Sequence, residues 1–368
     1  MLTEPSAPSA PGVAWFRPEA AAAPPHRVLE PSGDLAPGAE AVLTADEAQQ
    51  ALELMMLSRA YDERATALNR QGLFGGFAPA TGQEACLVGS ALALDPARDW
   101  IVPQYRELPA LVRHGYPLER LAAFSLGKTD AAAVPEGVRV LPLQFSLAAE
   151  LPHAVGLAWG RALQCRDEVV LAYCGEGATS EGDFHEACNL AGVLALPVVF
   201  LVQDNGWAIT TPRRLQTAAL SLAVRAVGYG FRGVVVDGND LLAVAQVARL
   251  AVEHARSGAG PVLVEARTYR VGLHNMTDDP RRYRPQAEVD EARRLDPIAR
   301  VQRYLASTGA WDDGRAEAVH RRVSALVDEA IERARRMPGQ RPGDVFDHVF
   351  AEPTANLAVQ RRRALGQP

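Results

Sequence analysis

The middle of the chain consists of apolar runs that alternate with segments of helical spacing. The apolar runs are 168–174, 198–202, 234–236 and 262–266. Helical spacing occupies the segments between them, for example 184–194. Strands that are apolar along their whole length indicate a parallel sheet with helices on both faces. The pattern therefore predicts an α/β fold whose ligands bind at the carboxyl ends of the strands.

The two ends of the chain differ from this middle part. Residues 1–42 are rich in Ala, Pro, Gly and Ser without periodicity, so we expect an extended or disordered arm there. Thr44 followed by Glu47 fits a capping box at the start of a helix. Residues 43–290 then form the predicted α/β domain, and residues 291–368 a helical C-terminal extension.

Composition and charge narrow the function classes. The chain has 368 residues and a net charge of -6, which offers no electrostatic reason to bind nucleic acid or an anionic membrane. No pair of its four cysteines has CxxC spacing. The sequence contains no stretch of about 18 apolar residues, which is the length that a membrane-spanning helix needs. The N-terminus lacks the pattern of a signal peptide. We expect a cytoplasmic protein that binds neither nucleic acid nor membranes.

The segment that follows the first apolar run carries the most chemistry. It reads Gly175-Glu176-Gly177-Ala178, and Asn205 follows the second run. Glycines at a strand end let a ligand approach the backbone, and the N-terminus of the next helix suits a phosphate. Carboxylate and amide oxygens beside phosphate oxygens are typical surroundings of Mg²⁺. The sequence therefore predicts a site for a magnesium diphosphate.

These two segments together resemble the thiamine diphosphate motif of the 2-oxoacid dehydrogenase α subunits. The form Gly-Glu-Gly-Ala-x-Ser-Glu-Gly-Asp at 175–183 is closest to the branched-chain, 2-oxoisovalerate type. The segment 104–106 and the loop at 269–284 resemble further parts of the same family, and the resemblance covers roughly residues 45–350. It implies the parallel-sheet, diphosphate-binding fold of that family and a cofactor pair of thiamine diphosphate and magnesium.

The resemblance also implies roles for single residues. Glu176, Asn205 and the backbone carbonyl of Trp207 would bind magnesium, and His274 would be the catalytic histidine. Arginine suits a phosphate because it forms charge-assisted, often bidentate hydrogen bonds. The expected cofactor contacts are Gln104, Tyr105, Arg106, Phe145, Leu147, Glu176, Gly177, Ala178, Gln203, Asn205 and His274.

The activity implied is oxidative decarboxylation of a small 2-oxoacid, with a branched-chain acid favoured. The acyl group would pass to a lipoyl group on the acyltransferase core of the complex. Only the diphosphate-binding half of a two-domain cofactor site is recognisable in this chain. The resemblance therefore implies a separate β subunit that supplies the other half, in a heterotetramer of two α and two β chains.

Two segments depart from the family pattern. Residues 129–144 are shorter than the corresponding family segment and lack its Gly-Arg-x-Met-x-x-His sequence. Ala149 and Glu150 stand where branched-chain relatives have a Thr and a Gln that bind potassium, so the resemblance does not lead us to predict a potassium site. These departures keep open two alternatives, a pyruvate or acetoin dehydrogenase α subunit and a non-catalytic regulatory paralogue.

Overall fold

The structure is a computed structural model that describes residues 24–347 and 349–367. The strands are β1 (Trp100–Val102), β2 (Val170–Gly175), β3 (Val198–Asp204), β4 (Trp207–Ala208), β5 (Thr211–Pro212), β6 (Arg232–Asp237) and β7 (Val262–Arg267). The helices are α1 (Ala45–Arg70), α2 (Glu84–Ala91), α3 (Leu108–Arg113), α4 (Leu118–Ser125), α5 (Glu150–Leu163), α6 (Gly182–Val193), α7 (Arg225–Gly228), α8 (Leu241–Arg256), α9 (Gln286–Arg294), α10 (Pro297–Ser307), α11 (Asp313–Arg336), α12 (Asp344–Asp347) and α13 (Ala355–Ala364).

Five strands form one parallel sheet in the order β1-β2-β3-β7-β6. The four apolar runs of the sequence are β2, β3, β6 and β7, so the predicted α/β fold is confirmed. The edge strand β1 has only three residues, which is too short for a recognisable apolar run. The small antiparallel pair β4-β5 was not predicted either, because each of its strands has two residues.

Helices cover both faces of the sheet, and the pleat of each strand divides its side chains between them. In β3, Val199 and Leu201 belong to the larger apolar cluster, which includes residues of α1, α2, α8 and α11. Val198, Phe200 and Val202 point to the opposite face and join the cluster that includes residues of α5 and α6. This burial on both sides is why β3 is apolar almost throughout.

The described part of the N-terminal segment, from residue 24 onward, contributes to the same core. Most of the predicted arm, residues 1–23, lies outside the described residues. The His26 backbone N–H donates to Val235 O at 2.9 Å, so the chain here runs along the edge strand β6. Val28 and Leu29 are buried. The segment from residue 24 to 42 therefore packs on its own chain, although the boundaries of the three predicted parts stay a prediction.

The predicted start of the first helix is confirmed. The Thr44 side chain accepts from the Glu47 backbone N–H at 3.2 Å, and Glu47 accepts from the Thr44 backbone N–H at 2.8 Å. At the other end of the chain, α11 packs on α1 and α4. The Lys128 ammonium donates to Arg335 O at 2.8 Å and so caps the end of α11. No helix in the described ranges is long and apolar enough to cross a membrane.

Candidate functional site

A cavity of about 410 Å³ lies at the carboxyl ends of β2 and β3. Parallel sheets typically bind ligands at this edge, because the loops that follow neighbouring strands meet there. Every residue that the sequence predicted for the cofactor or the metal lines this cavity. These residues are Gln104, Tyr105, Arg106, Phe145, Leu147, Glu176, Gly177, Ala178, Gln203, Asn205, Trp207 and His274. Their individual roles stay predictions, but the fold brings all of them together.

Glu176 lies directly after β2 and is only 2% exposed. One carboxylate oxygen accepts from the Asn205 backbone N–H at 3.3 Å. The other, Oε1, has no hydrogen-bond partner in the part of the chain that the structure describes. Burial, followed by the nearby charge of Asp204, raises the pKa of Glu176 to about 7. A buried carboxylate with a free oxygen is a costly arrangement that a bound cation would stabilise.

Asn205 follows β3, and hydrogen bonds fix its side chain. Its Nδ2 donates to Gln83 Oε1 at 3.1 Å, and its Oδ1 accepts from the Trp207 backbone N–H at 3.3 Å. The Trp207 carbonyl accepts from the Arg270 guanidinium at 3.0 Å, and this positive charge opposes a cation at that oxygen. The two side-chain oxygens therefore fit Mg²⁺ better than the carbonyl does.

A metal at this place would need further ligands. The described residues contain no group of three or more His, Cys, Asp or Glu side chains that could hold an ion. Mg²⁺ is commonly held by one or two protein oxygens together with phosphate oxygens. The donor set around Glu176 therefore fits a magnesium ion that arrives with a phosphate group.

The glycine at position 177 is required by close packing. A Cβ atom on Gly177 would lie 2.6 Å from the Ala208 Cβ, which is closer than any real contact. A Cβ on Gly175 would have Gln104 Oε1, at 3.9 Å, as its nearest neighbour. The turn at 176–180 is a 3₁₀ helix, and α6 begins only at Gly182. The predicted helix N-terminus is thus reached through a tight turn that forms the floor of the cavity.

Glu107 organises one wall of the site, and the sequence analysis missed it. Its Oε2 accepts from the backbone N–H groups of Gln104 and Arg106 at 3.0 and 2.9 Å. Its Oε1 accepts from the Gln203 amide at 2.6 Å. Burial raises the pKa of Glu107. An acidic residue directly after the Gln-Tyr-Arg segment was the available signal. Gln203 therefore lines the cavity, but its amide nitrogen is engaged by this carboxylate.

Two buried arginines flank His274. Arg106 donates to His274 Nδ1 at 3.0 Å and to His274 O at 2.9 Å. Arg270 donates to the carbonyls of Trp207 and Ile209 at 3.0 and 2.7 Å, and lies 3.4 Å from His274 Nδ1. Arg270 was not among the predicted site residues, because a sequence cannot show that its side chain turns inward. The two guanidiniums make this side of the cavity positive, which suits an anion.

The protonation state of His274 follows from these neighbours. Burial, then the charges of Arg106 and Arg270, lower its pKa to about 4. Because a guanidinium can only donate, Nδ1 must accept, and the neutral ring carries its hydrogen on Nε2. The His274 backbone N–H donates to Asp278 at 2.8 Å, which holds the loop. His274 can therefore donate a hydrogen bond from Nε2 to an anionic oxygen while it remains uncharged.

Comparison with known proteins gives one consistent result. Residues 52–343 match the protein family described as Dehydrogenase E1 component. A protein named pyruvate dehydrogenase E1 component subunit alpha from Staphylococcus epidermidis strain RP62A is 38% identical over 319 residues, which cover 86% of each chain. A protein of the same name from Staphylococcus aureus strain Mu50 gives the same identity and coverage. These names agree with the pyruvate alternative and do not support the branched-chain type that the motif favoured.

Proposed function

The chain belongs to the dehydrogenase E1 component family, and from this membership we propose that it is the thiamine-diphosphate-binding α subunit of a 2-oxoacid dehydrogenase complex. One observation carries the proposal for the site. The buried carboxylate of Glu176 lies with a free oxygen next to Asn205 and beside a glycine turn, and Arg106 lines the same cavity. This arrangement combines a cation site with an anion site, as a magnesium diphosphate requires.

The proposed cofactor contacts divide by charge. Glu176 and Asn205 would hold magnesium together with diphosphate oxygens. Arg106 would favour the diphosphate by its charge, and the Gln104 amide nitrogen, buried and without a partner within the described residues, would donate to it. Bound thiamine diphosphate supplies the carbon nucleophile and the electron sink that decarboxylation of a 2-oxoacid needs.

His274 has a defined task in this proposal. Its ring is neutral near pH 7, because burial, and then the charges of Arg106 and Arg270, lower its pKa to about 4. It acts as a hydrogen-bond donor from Nε2 to an anionic oxygen, either of the diphosphate or of the acyl group that leaves the site. The arginine at Nδ1 fixes the ring orientation, so that Nε2 is the atom presented. In this role His274 donates a hydrogen bond from Nε2, and Nδ1 remains an acceptor from Arg106 throughout.

The proposed partner is a β subunit, in an assembly of two α and two β chains that serves an acyltransferase core with lipoyl groups. The described residues form a single five-stranded parallel sheet. A cofactor with a diphosphate end and a pyrimidine end needs a second surface for the pyrimidine, and this sheet offers the diphosphate side. A separate chain would supply the rest.

We favour pyruvate as the substrate, since the similar proteins bear that name at 38% identity. A branched-chain 2-oxoacid is the second candidate, because the motif at 175–183 has the branched-chain form. The regulatory paralogue stays a third hypothesis, based on residues 129–144. Against it, Glu176, Arg106 and His274 line one cavity together.

The test is decarboxylation of a panel of 2-oxoacids by the chain co-purified with its companion β chain, with and without magnesium and thiamine diphosphate. We expect cofactor-dependent turnover that is fastest with pyruvate. Faster turnover of branched-chain acids would keep the mechanism and replace the substrate. A stable complex with a competent β chain and no turnover would support the regulatory paralogue. Full activity of the isolated α chain as a monomer would contradict the partner proposal.

A further inference from the structure

A smaller chamber of about 50 Å³ lies behind the main cavity, and we refer to it as the rear chamber. Most of the residues that line it are apolar or aromatic, among them Leu108, Leu111, Leu121, Phe124 and Leu143, and its polar lining residues are Asp62, Arg106 and Ser125. The main cavity, at about 410 Å³, does not reach these side chains. The rear chamber is thus an apolar space next to the proposed reaction site.

Phe145 belongs to the boundary between the two spaces, since it lines both of them, as do Gly76, Phe77, Ala78, Tyr105 and Arg106. The ring stacks on Tyr105, with centroids 5.5 Å apart and planes 8° from parallel. Its other neighbour is Phe124, at 5.8 Å and 14°. Tyr105, like Phe145, borders both spaces, whereas Phe124 borders only the rear chamber. The three rings therefore form a stack along the boundary of the two spaces, with Phe145 in the middle and Phe124 on the side of the rear chamber.

The backbone at Phe145 is held independently of its side chain. The Gln144 side-chain oxygen accepts from the backbone N–H groups of Phe145 and Ser146 at 2.8 and 3.0 Å. The Gln144 backbone N–H in turn donates to Gln104 O at 2.9 Å. Removing the Phe145 ring would therefore leave this turn in place. The side chain is 55% exposed, so core packing does not account for a phenylalanine at this position.

We propose that Phe145 determines the size of the 2-oxoacid side chain that the site accepts, because its ring closes the rear chamber to the substrate. The inference rests on the proposed function and adds a specificity-determining residue to it. With the ring in place, only a short apolar chain fits beside Tyr105. Without the ring, the leucine-lined chamber becomes continuous with the cavity and receives a longer or branched chain. Apolar pockets discriminate about 10- to 200-fold for each methylene group that fits or fails to fit.

The experiment compares Phe145→Ala and Phe145→Leu with the unmodified chain, each co-purified with the β chain and loaded with magnesium and thiamine diphosphate. The measured quantity is kcat/KM for pyruvate, 2-oxobutyrate and 2-oxoisovalerate. We expect the ratio of 2-oxoisovalerate to pyruvate to rise about tenfold or more in Phe145→Ala, and less in Phe145→Leu. Phe350→Ala is the matched control, because Phe350 is 56% exposed and lies outside the cavity, and it should leave the ratio unchanged. Thermal unfolding of each variant reports whether the fold is intact.

A second measurement keeps the inference separate from the proposed function. Calorimetry on the same complexes gives the affinities of methyl acetylphosphonate and methyl isobutyrylphosphonate, which mimic a short and a branched 2-oxoacid without being decarboxylated. The larger analogue should gain affinity in Phe145→Ala relative to the smaller one. An unchanged ratio in both assays, with active wild-type complex, overturns the role of Phe145 alone. If the wild-type complex neither turns over any acid nor binds either analogue, the proposed function and this inference both fall.

Discussion

Two buried acids, Asp240 and Glu176, follow strands of the same parallel sheet, and they differ in how many hydrogen bonds their carboxylates accept. Asp240, beyond β6, accepts from four backbone N–H groups, those of Val28, Leu29, Leu242 and Ala243, at 2.6 to 3.1 Å. Glu176, beyond β2, accepts from one backbone N–H at 3.3 Å, and its second oxygen has no partner among the described residues. Burial of a carboxylate at a strand end is therefore not enough to mark a binding site.

The difference arises from what covers each strand end. At β6 the N-terminal segment lies across the opening, and Arg300 donates to Glu30 O at 3.0 Å and to Asp237 at 3.1 Å. The polar groups of that end are satisfied within the chain, so it is structural. At β2 and β3 the loops stand apart around a cavity, and polar atoms face it unpaired. Since unpaired buried polar groups are costly, they indicate where a ligand completes the structure.

The largest effect on stability is expected at the carboxyl end of β6, which the N-terminal segment covers. Asp240→Ala should lower the free energy of unfolding by about 4 kcal/mol, because it leaves four buried N–H groups without an acceptor and removes the carboxylate that lies 3.7 Å from the Arg300 guanidinium. Urea unfolding followed by circular dichroism measures this. Asp312→Ala is the control, since Asp312 caps α11 at the surface and should cost only about 1 kcal/mol. If both variants lost the same free energy of unfolding, Asp240 would contribute no more to stability than an ordinary helix cap, contrary to the prediction.

At the carboxyl end of β2, which borders the cavity, a substitution should lower the affinity for ligand and leave the stability of the fold unchanged. Glu176→Gln keeps the side-chain shape but removes the charge, so affinity for magnesium and thiamine diphosphate should fall about a hundredfold or more in the complex with the β chain. Calorimetric titration measures it, with exposed Glu181→Gln as the control. The unfolding free energy of the free chain should not decrease. A large loss of stability with normal cofactor affinity would show that Glu176 is structural, like Asp240.

A substitution of His274 tests the role of the positively charged side of the cavity. His274→Ala removes the Nε2 donor, and a hydrogen bond to a charged group is worth about 1.5 to 3 kcal/mol, so overall complex activity should fall about 10- to 100-fold. Acyl-lipoamide formation measures the loss, with His320→Ala on the surface of α11 as the control. The fold should be retained. Unchanged acyl-lipoamide formation would refute the role of His274.

Glu150 provides the smallest and most pH-dependent effect. It begins α5, is buried, and neither of its carboxylate oxygens finds a hydrogen-bond partner in the described part of the chain. Burial, then the charges of Glu107 and Asp183, raise its pKa to about 8. A raised carboxyl pKa stabilises the fold at acid pH, and this contribution is lost as the pH rises from about 4.5 to 8.

Glu150→Gln should therefore stabilise the chain at pH 8 by on the order of 1 kcal/mol, because the folded chain no longer has to keep a buried carboxyl neutral, and some relaxation limits the gain. At pH 5 the substitution should have little effect. Thermal unfolding at the two pH values measures the difference, with the exposed Glu186→Gln as control. A gain of equal size at both values would exclude titration of Glu150 as the cause.

Much of the site could be predicted because it uses residues next to strand ends. Glu176 and Asn205 follow apolar runs directly, and the carboxyl ends of parallel strands meet at one edge, so their proximity follows from the pattern. Phe145 and Leu147 were placed by resemblance alone. Glu107 and Arg270 were missed, because their roles depend on side chains that turn inward to reach groups far away in sequence.

The sequence by itself determined the α/β class, the four long strands, the capped start of α1 and the position of the glycine-acid segment 175–178 at the end of β2. These are local features, set by apolar periodicity, capping and glycine positions. Only the tertiary structure decided that β7 lies between β3 and β6, that the N-terminal segment closes one strand end, and that Phe145 borders two chambers. Such facts depend on contacts between distant parts of the chain, where packing selects one arrangement among many that the local pattern allows.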